Sequence, residues 1–74
     1  MLLIDAKMNT NLIVKSINSL DTDKLRLMEL GLYEGVNVLV KNKSIFKKNL
    51  LIFFNHSCFV IGVDLAKNIE VEYA

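Results

Sequence analysis

The side chains with the greatest chemical reach in this chain stand together at His56-Ser57-Cys58. An imidazole and a thiolate two residues apart are soft ligands of the kind that Zn²⁺ or Fe²⁺ takes. The chain has one histidine and one cysteine, so this pair offers at most two such ligands, and a carboxylate such as Asp64 would have to join them through the fold. The simpler reading places His56 in a turn and packs Cys58 as a small hydrophobe. With a single imidazole there is no proton relay, and no serine stands at a recognisable spacing from it and an acid. The sequence therefore offers no catalytic constellation. One cysteine also excludes an internal disulfide and a metal site built on several thiolates.

The second group with possible chemistry is basic. Lys41, Lys43, Lys47 and Lys48 follow one another with no acid among them. Such a cluster suits an acidic partner surface, anionic lipid headgroups or nucleic acid, or it is a solvated loop whose lysines guard a strand against edge pairing. No aromatic spacing suggests base stacking, and the formal net charge is only +1, so nucleic acid is the weakest of these partners.

The elements that must position these residues are readable from pattern. Residues 12–17, LIVKSI, form a β-branched strand. Ser19, Asp21 and Thr22 are candidate helix N-caps, the apolar spacing of residues 23–30 is helical, and Leu25, Leu27, Met28 and Leu30 fit one amphipathic helix that plugs the fold. Gly31 can close that helix in the left-handed conformation, with Leu32 folding back on the last turn. Gly35 then supplies a positive φ for a second turn. Val36, Val38 and Val40 alternate along a half-buried strand, and residues 42–49 read as a charged connection. LLIFF (50–54) and CFVIGV (58–63) form a hairpin, with Phe54 facing Phe59, Ile52 facing Ile61 and Leu50 facing Val63, and with His56 and Ser57 at the tip. Residues 64–68 hold one helical turn and IEVEY closes the chain as a strand. Five short strands and one helix in 74 residues give one domain, residues 1–74, folded as a small, partly open barrel.

Leu50, Ile52 and Phe54 fill such a barrel, so Leu51 and Phe53 point outward unless the helix covers them or they form a second small cluster beneath the long loop. Ile45, Phe46, Lys47 and Lys48 extend that surface into a patch fit for a partner protein or a second copy. No apolar run approaches the ~20 residues that span a bilayer. MLLID is too short for a signal peptide, so a soluble, intracellular protein is expected.

The string LRLMELGLYEGVNVLV (25–40) resembles the signature of the FeoA family, the small ferrous iron transport protein A of bacteria. Leu27, Met28, Leu30, Gly31, Leu32 and Gly35 stand at its motif positions, and Ile61, Ala66, Ile69 and Val71 fit its closing pattern. The sequence departs from the family at Met8-Asn9-Thr10, in place of a Lys-Pro-Gly-like turn. It departs also at Gly62, where a basic residue is frequent, and at His56, where the hairpin turn often carries glycine. The resemblance implies a mainly β, SH3-like five-stranded barrel with one short α-helix between strands 1 and 2. It implies a stand-alone, non-enzymatic cytosolic accessory of ferrous iron uptake that binds the cytoplasmic part of the GTP-binding transporter FeoB, at the inner face of the membrane through that partner. Neither iron nor zinc is required as a cofactor by this reading. The rival readings are a small metal-binding regulator using His56 and Cys58 and a nucleic-acid-binding module using the lysines.

Overall fold

The computed structural model describes residues 1–44 and 46–74. After a 3₁₀ turn at Leu3–Asp5 come β1 (Leu12–Ile17), α1 (Asp21–Leu30), β2 (Asn37–Ser44), β3 (Asn49–Phe54), β4 (Ser57–Gly62), α2 (Val63–Ala66) and β5 (Ile69–Tyr73). The strands form one antiparallel sheet in the order β4-β3-β2-β1-β5. Its register shifts within β1, between Val14 and Ser16, and within β2, between Val40 and Asn42. An extra residue at each place bends the strand and increases its twist, which curls a short sheet around its own core. The expected mainly β architecture, with one helix between the first two strands, is what forms.

The interior takes alternate residues from every strand, among them Leu12, Val14, Val38, Val40, Leu50, Ile52, Phe54, Ile61, Ile69 and Val71. Among the described residues no polar or charged residue is buried as a whole, and the hydroxyl of the half-buried Ser19 is a polar side-chain atom that is itself enclosed. Phe54 stacks on the half-buried Phe59 with ring centroids 4.6 Å apart.

Gly31 ends α1 at φ 105°. Its N–H donates to the Met28 carbonyl at 3.0 Å, and the Leu32 N–H reaches the Leu27 carbonyl at 2.9 Å. Those paired bonds satisfy the last helical carbonyls, and the Leu32 side chain is fully buried beneath them. Gly35, at φ 91°, closes the next turn, in which the Val36 N–H bonds to the Tyr33 carbonyl at 3.1 Å.

Several expectations are corrected. The helix begins at Asp21, and its N-cap is Leu20, whose carbonyl accepts from the Lys24 N–H at 3.0 Å. Asp21 and Thr22 lie inside the first turn, and the Ser19 hydroxyl is buried with no partner. None of the three caps it, although Asp21 and Asp23 do sit at the positive end of the helix dipole. The β3–β4 register is two residues tighter than expected: Phe54 pairs with Ser57, Ile52 with Phe59 and Leu50 with Ile61. The cause is a two-residue turn at Asn55-His56, with φ of 52° and 63°. Both residues take the left-handed conformation that matches the twist of the flanking strands, and this turn prevails over a looser four-residue loop. A slip of two residues keeps every side chain on its expected face, and Phe54 still meets the Phe59 ring diagonally. Half of the expected charged connection is strand, because β2 runs on to Ser44 and β3 starts at Asn49.

Residues 1–11 carry an unforeseen role. Leu3 and Ala6 are buried in the core, and Leu2 bridges to Glu70 on the outer edge of β5. The Val71 N–H donates to the Met1 carbonyl at 2.8 Å. The turn at Met8-Asn9-Thr10 is built by Asn9 at φ 57°, with the Thr10 hydroxyl donating to the Met8 carbonyl. Asparagine tolerates this conformation better than most residues.

Gly31→Ala is expected to lower unfolding stability by about 1–2 kcal/mol, the cost of a left-handed L-residue. Its Cβ would also meet the Asn55 amide nitrogen at 3.2 Å. Gly62→Ala, with open space around its Cβ, changes stability by less than about 0.5 kcal/mol. Urea titration of the two variants checks the contrast.

Candidate functional site

Leu51 and Phe53 lie on the outer face of β3, half-buried. Phe53 pairs across the sheet with Leu39 and Cys58, and Leu51 with Asn42 and Val60. The Lys41 ammonium stands 5.8 Å from the Phe53 ring centroid, within cation–π range, and shields part of that ring. This stripe is therefore a mixed surface of moderate exposure. Phe46, Lys47 and Lys48 occupy the β2–β3 turn, where all three are exposed. Ile45 lies outside the described residues.

The lysine cluster is not a single free patch. The Lys43 ammonium donates to the Ile4 carbonyl at 2.7 Å and the Ala6 carbonyl at 2.8 Å. It thus satisfies backbone acceptors that the 3₁₀ turn leaves open and ties the N-terminal segment to β2. Lys41, Lys47 and Lys48 are exposed.

His56 is the second residue of the β3–β4 turn, and Cys58 is an exposed free thiol on β4, opposite Phe53. Among the described residues no group of three or more His, Cys, Asp and Glu gathers closely enough to hold a metal ion. The left-handed turn accounts for the placement of His56.

The helix departs most from expectation. Leu25, Leu27, Met28 and Leu30 read as one face that plugs the barrel, yet only Leu27 is buried. The strands, with Leu3, Ala6 and Leu32, already fill the interior. At ~100° per residue, Met28 and Leu30 fall on either side of Leu27, and Leu25 shares the outer flank with Met28. Leu25 is 55% exposed, Met28 49% and Tyr33, just beyond the helix, 50%. Beside them a cleft of about 420 Å³ is lined by Ile17, Lys24, Met28, Leu32, Tyr33 and Glu34. Its walls are mostly apolar, with one charge of each sign. The sequence signal for this surface was present in the leucines and Met28, but periodicity alone assigns an apolar stripe to the core.

A FeoA domain model matches residues 1–73. The chain belongs to the FeoA family. That family is associated with ferrous iron transport and consists of small transport-related domains rather than known enzymes. The fold is close to that of the FeoA protein from Chlorobium tepidum, with a TM-score of 0.91 and 23% identity over 99% of this chain and 70% of that one. The zinc-complexed FeoA of Stenotrophomonas maltophilia, described as a prokaryotic SH3 domain protein and advanced as a ferrous iron transport activating factor, is 26% identical. The match covers 97% of this chain and 89% of that one, at a TM-score of 0.78. ScaR with bound Zn²⁺ contains the same fold, at a TM-score of 0.88 and 18% identity, and the FeoA chain spans only 37% of its length. No curated protein matches the sequence at a significant level.

The SH3-like barrel that the resemblance implied is thus the fold of this FeoA chain. No helix among the described residues is long and apolar enough to cross a membrane. Removing the ammonium with Lys43→Met is expected to cost about 2 kcal/mol, the scale of hydrogen bonds to a charged group. Amide exchange of residues 1–7 should accelerate with it. A stability change under about 0.5 kcal/mol, with exchange unaltered, would show that the strap is held without this lysine.

Proposed function

We propose that this FeoA chain is a non-enzymatic docking module of ferrous iron uptake. Its partner is the cytoplasmic part of a FeoB-type GTP-binding iron transporter, and it acts in the cytoplasm at that partner. The observation that carries the reading is the surface made by Leu25, Met28 and Tyr33 beside the cleft over Ile17 and Leu32. Leu25 and Met28 stand half-exposed there on a helix that the core holds through Leu27 alone, and Tyr33 stands half-exposed just beyond it. A contiguous apolar surface rimmed by Lys24 and Glu34 has the composition of a protein interface: an apolar centre and a polar rim.

The mechanism this supports is positional. Met28 and Tyr33 enter a complementary surface on the transporter, the cleft takes an apolar side chain from it, and Lys24 and Glu34 set the orientation through charge. The chain then biases whichever transporter conformation offers that surface, so its effect on Fe²⁺ flux is a shift of population rather than a chemical step.

The test is retention of the soluble cytoplasmic domain of the transporter on the immobilised chain. Met28→Asp and Tyr33→Asp should each weaken retention tenfold or more, because a large side chain buried at an interface contributes about 1.5–3 kcal/mol. Val60→Asp, on the exposed face of β4, should retain the partner as the unaltered chain does. Loss with Val60→Asp and retention with Met28→Asp would move the interface to the sheet, where Leu51 and Phe53 lie.

A further inference from the structure

Charge is partitioned along this chain in a way that the docking surface on α1 does not use. Between Glu34 and Asp64 there are four lysines and no carboxylate side chain, while the remaining residues carry five of the nine basic groups and all eight acidic ones. The β2–β3–β4 half is therefore formally +4 and the rest −3, although the whole chain is close to neutral. At the end of the cationic half is the β2–β3 turn, where Phe46 is 99% exposed. The Lys47 N–H donates to the Ser44 hydroxyl at 3.3 Å, and Lys48 takes a left-handed φ of 52°. Both lysine side chains are exposed beside Phe46.

Two carboxylates outside this half stand by its lysines or by the segment that they hold. Asp64 shares a groove with Lys48 and Lys67, and Asp5 belongs to the 3₁₀ turn at which Lys43 holds the Ile4 and Ala6 carbonyls. The hairpin tip thus combines one fully exposed aromatic ring with a one-sided excess of ammonium groups.

We propose that this tip is a membrane-contact element that seats on anionic phospholipid. Phe46 enters the boundary between headgroups and acyl chains, and Lys47 and Lys48 meet the phosphates, with Lys41 adding longer-range attraction. A single aromatic ring is marginal as an anchor, and so are a few surface lysines. Together on one protrusion they provide the apolar and electrostatic parts that interfacial binding needs. Nucleic acid would ask for several stacking aromatics along a groove, and an acidic protein surface gives no use to a ring exposed on every side. The contact lies on a different element from Met28 and Tyr33, so a FeoA chain seated on lipid keeps α1 free for its partner.

The test is co-sedimentation of the full chain with vesicles of phosphatidylcholine alone and of phosphatidylcholine mixed with phosphatidylglycerol. Binding is expected only to the mixed vesicles and should fall with added salt. Lys47→Gln and Lys48→Gln should each weaken it about fivefold, the equivalent of ~1 kcal/mol per lysine at an anionic surface. The chain has no tryptophan, so Phe46→Trp provides a reporter, and its emission should shift to the blue on the mixed vesicles. Met28→Asp should bind them as well as the unaltered chain, which separates this contact from docking to the transporter. No binding to the mixed vesicles at low salt, equal binding to both vesicles, or a Phe46→Trp emission that does not move would each overturn the proposal. So would lysine-dependent binding to a DNA duplex or to polyglutamate without binding to vesicles.

Discussion

The structure turns on the reversal at Gly31 and Leu32. A left-handed glycine closes α1, and the next residue carries its whole side chain into the barrel. Burial of a leucine contributes about 1.5–3 kcal/mol, and here that burial is tied to two backbone bonds that end the helix. The reversal places Tyr33 and Glu34 at the mouth of the cleft and, through Gly35, directs the chain into β2. The helix itself has little hold on the core beyond Leu27. If Leu32 lost its place, α1 would lose its anchor, the cleft its floor and β2 its entry.

This explains which parts of the molecule were legible in the sequence. A face buried in one small core imposes alternation on LIVKSI, VNVLV and IEVEY, and the bounds of the first and last were legible from it, whereas β2 runs on past its valines to Ser44. The faces of β3 and β4 were also correct. Their register was not, because it is decided by the turn, and the readiness of Asn55 and His56 to take positive φ outweighs any gain from pairing Phe54 with Phe59. The N-terminal strap had no periodic signal. Its place depends on long-range contacts, namely Leu3 and Ala6 in the core and Lys43 on the Ile4 and Ala6 carbonyls.

The helix shows the opposite failure. Its start, its stop and its leucines were all visible, and they suggested a plug. An apolar stripe has the same spacing whether it packs inward or waits for a partner, and only the space left by the other elements distinguishes the two. Here the strands, the strap and Leu32 leave none. Met28 and Leu30, two residues by which the sequence resembles its family, are therefore exposed. The cleft at their side had no signature of its own, since Ile17, Lys24 and Glu34 come together only when β1 and the turn after α1 are in place.

The basic residues likewise divide once the fold is known. Lys43 is structural, Lys41 lies over Phe53, and Lys47 and Lys48 stay at the hairpin tip beside Phe46. The apolar surface on α1 and the cationic tip sit on different elements, which allows one small barrel to meet a protein and a charged surface together. The most direct measurement of docking through α1 is the ¹H–¹⁵N spectrum of the isotope-labelled chain as the unlabelled cytoplasmic domain of a FeoB-type transporter is added. The amides of Leu25, Met28, Leu32 and Tyr33 should shift or broaden first, with those of Val60 and Leu51 unmoved. Perturbation confined to the outer face of β3 and β4, with α1 unchanged, would contradict it.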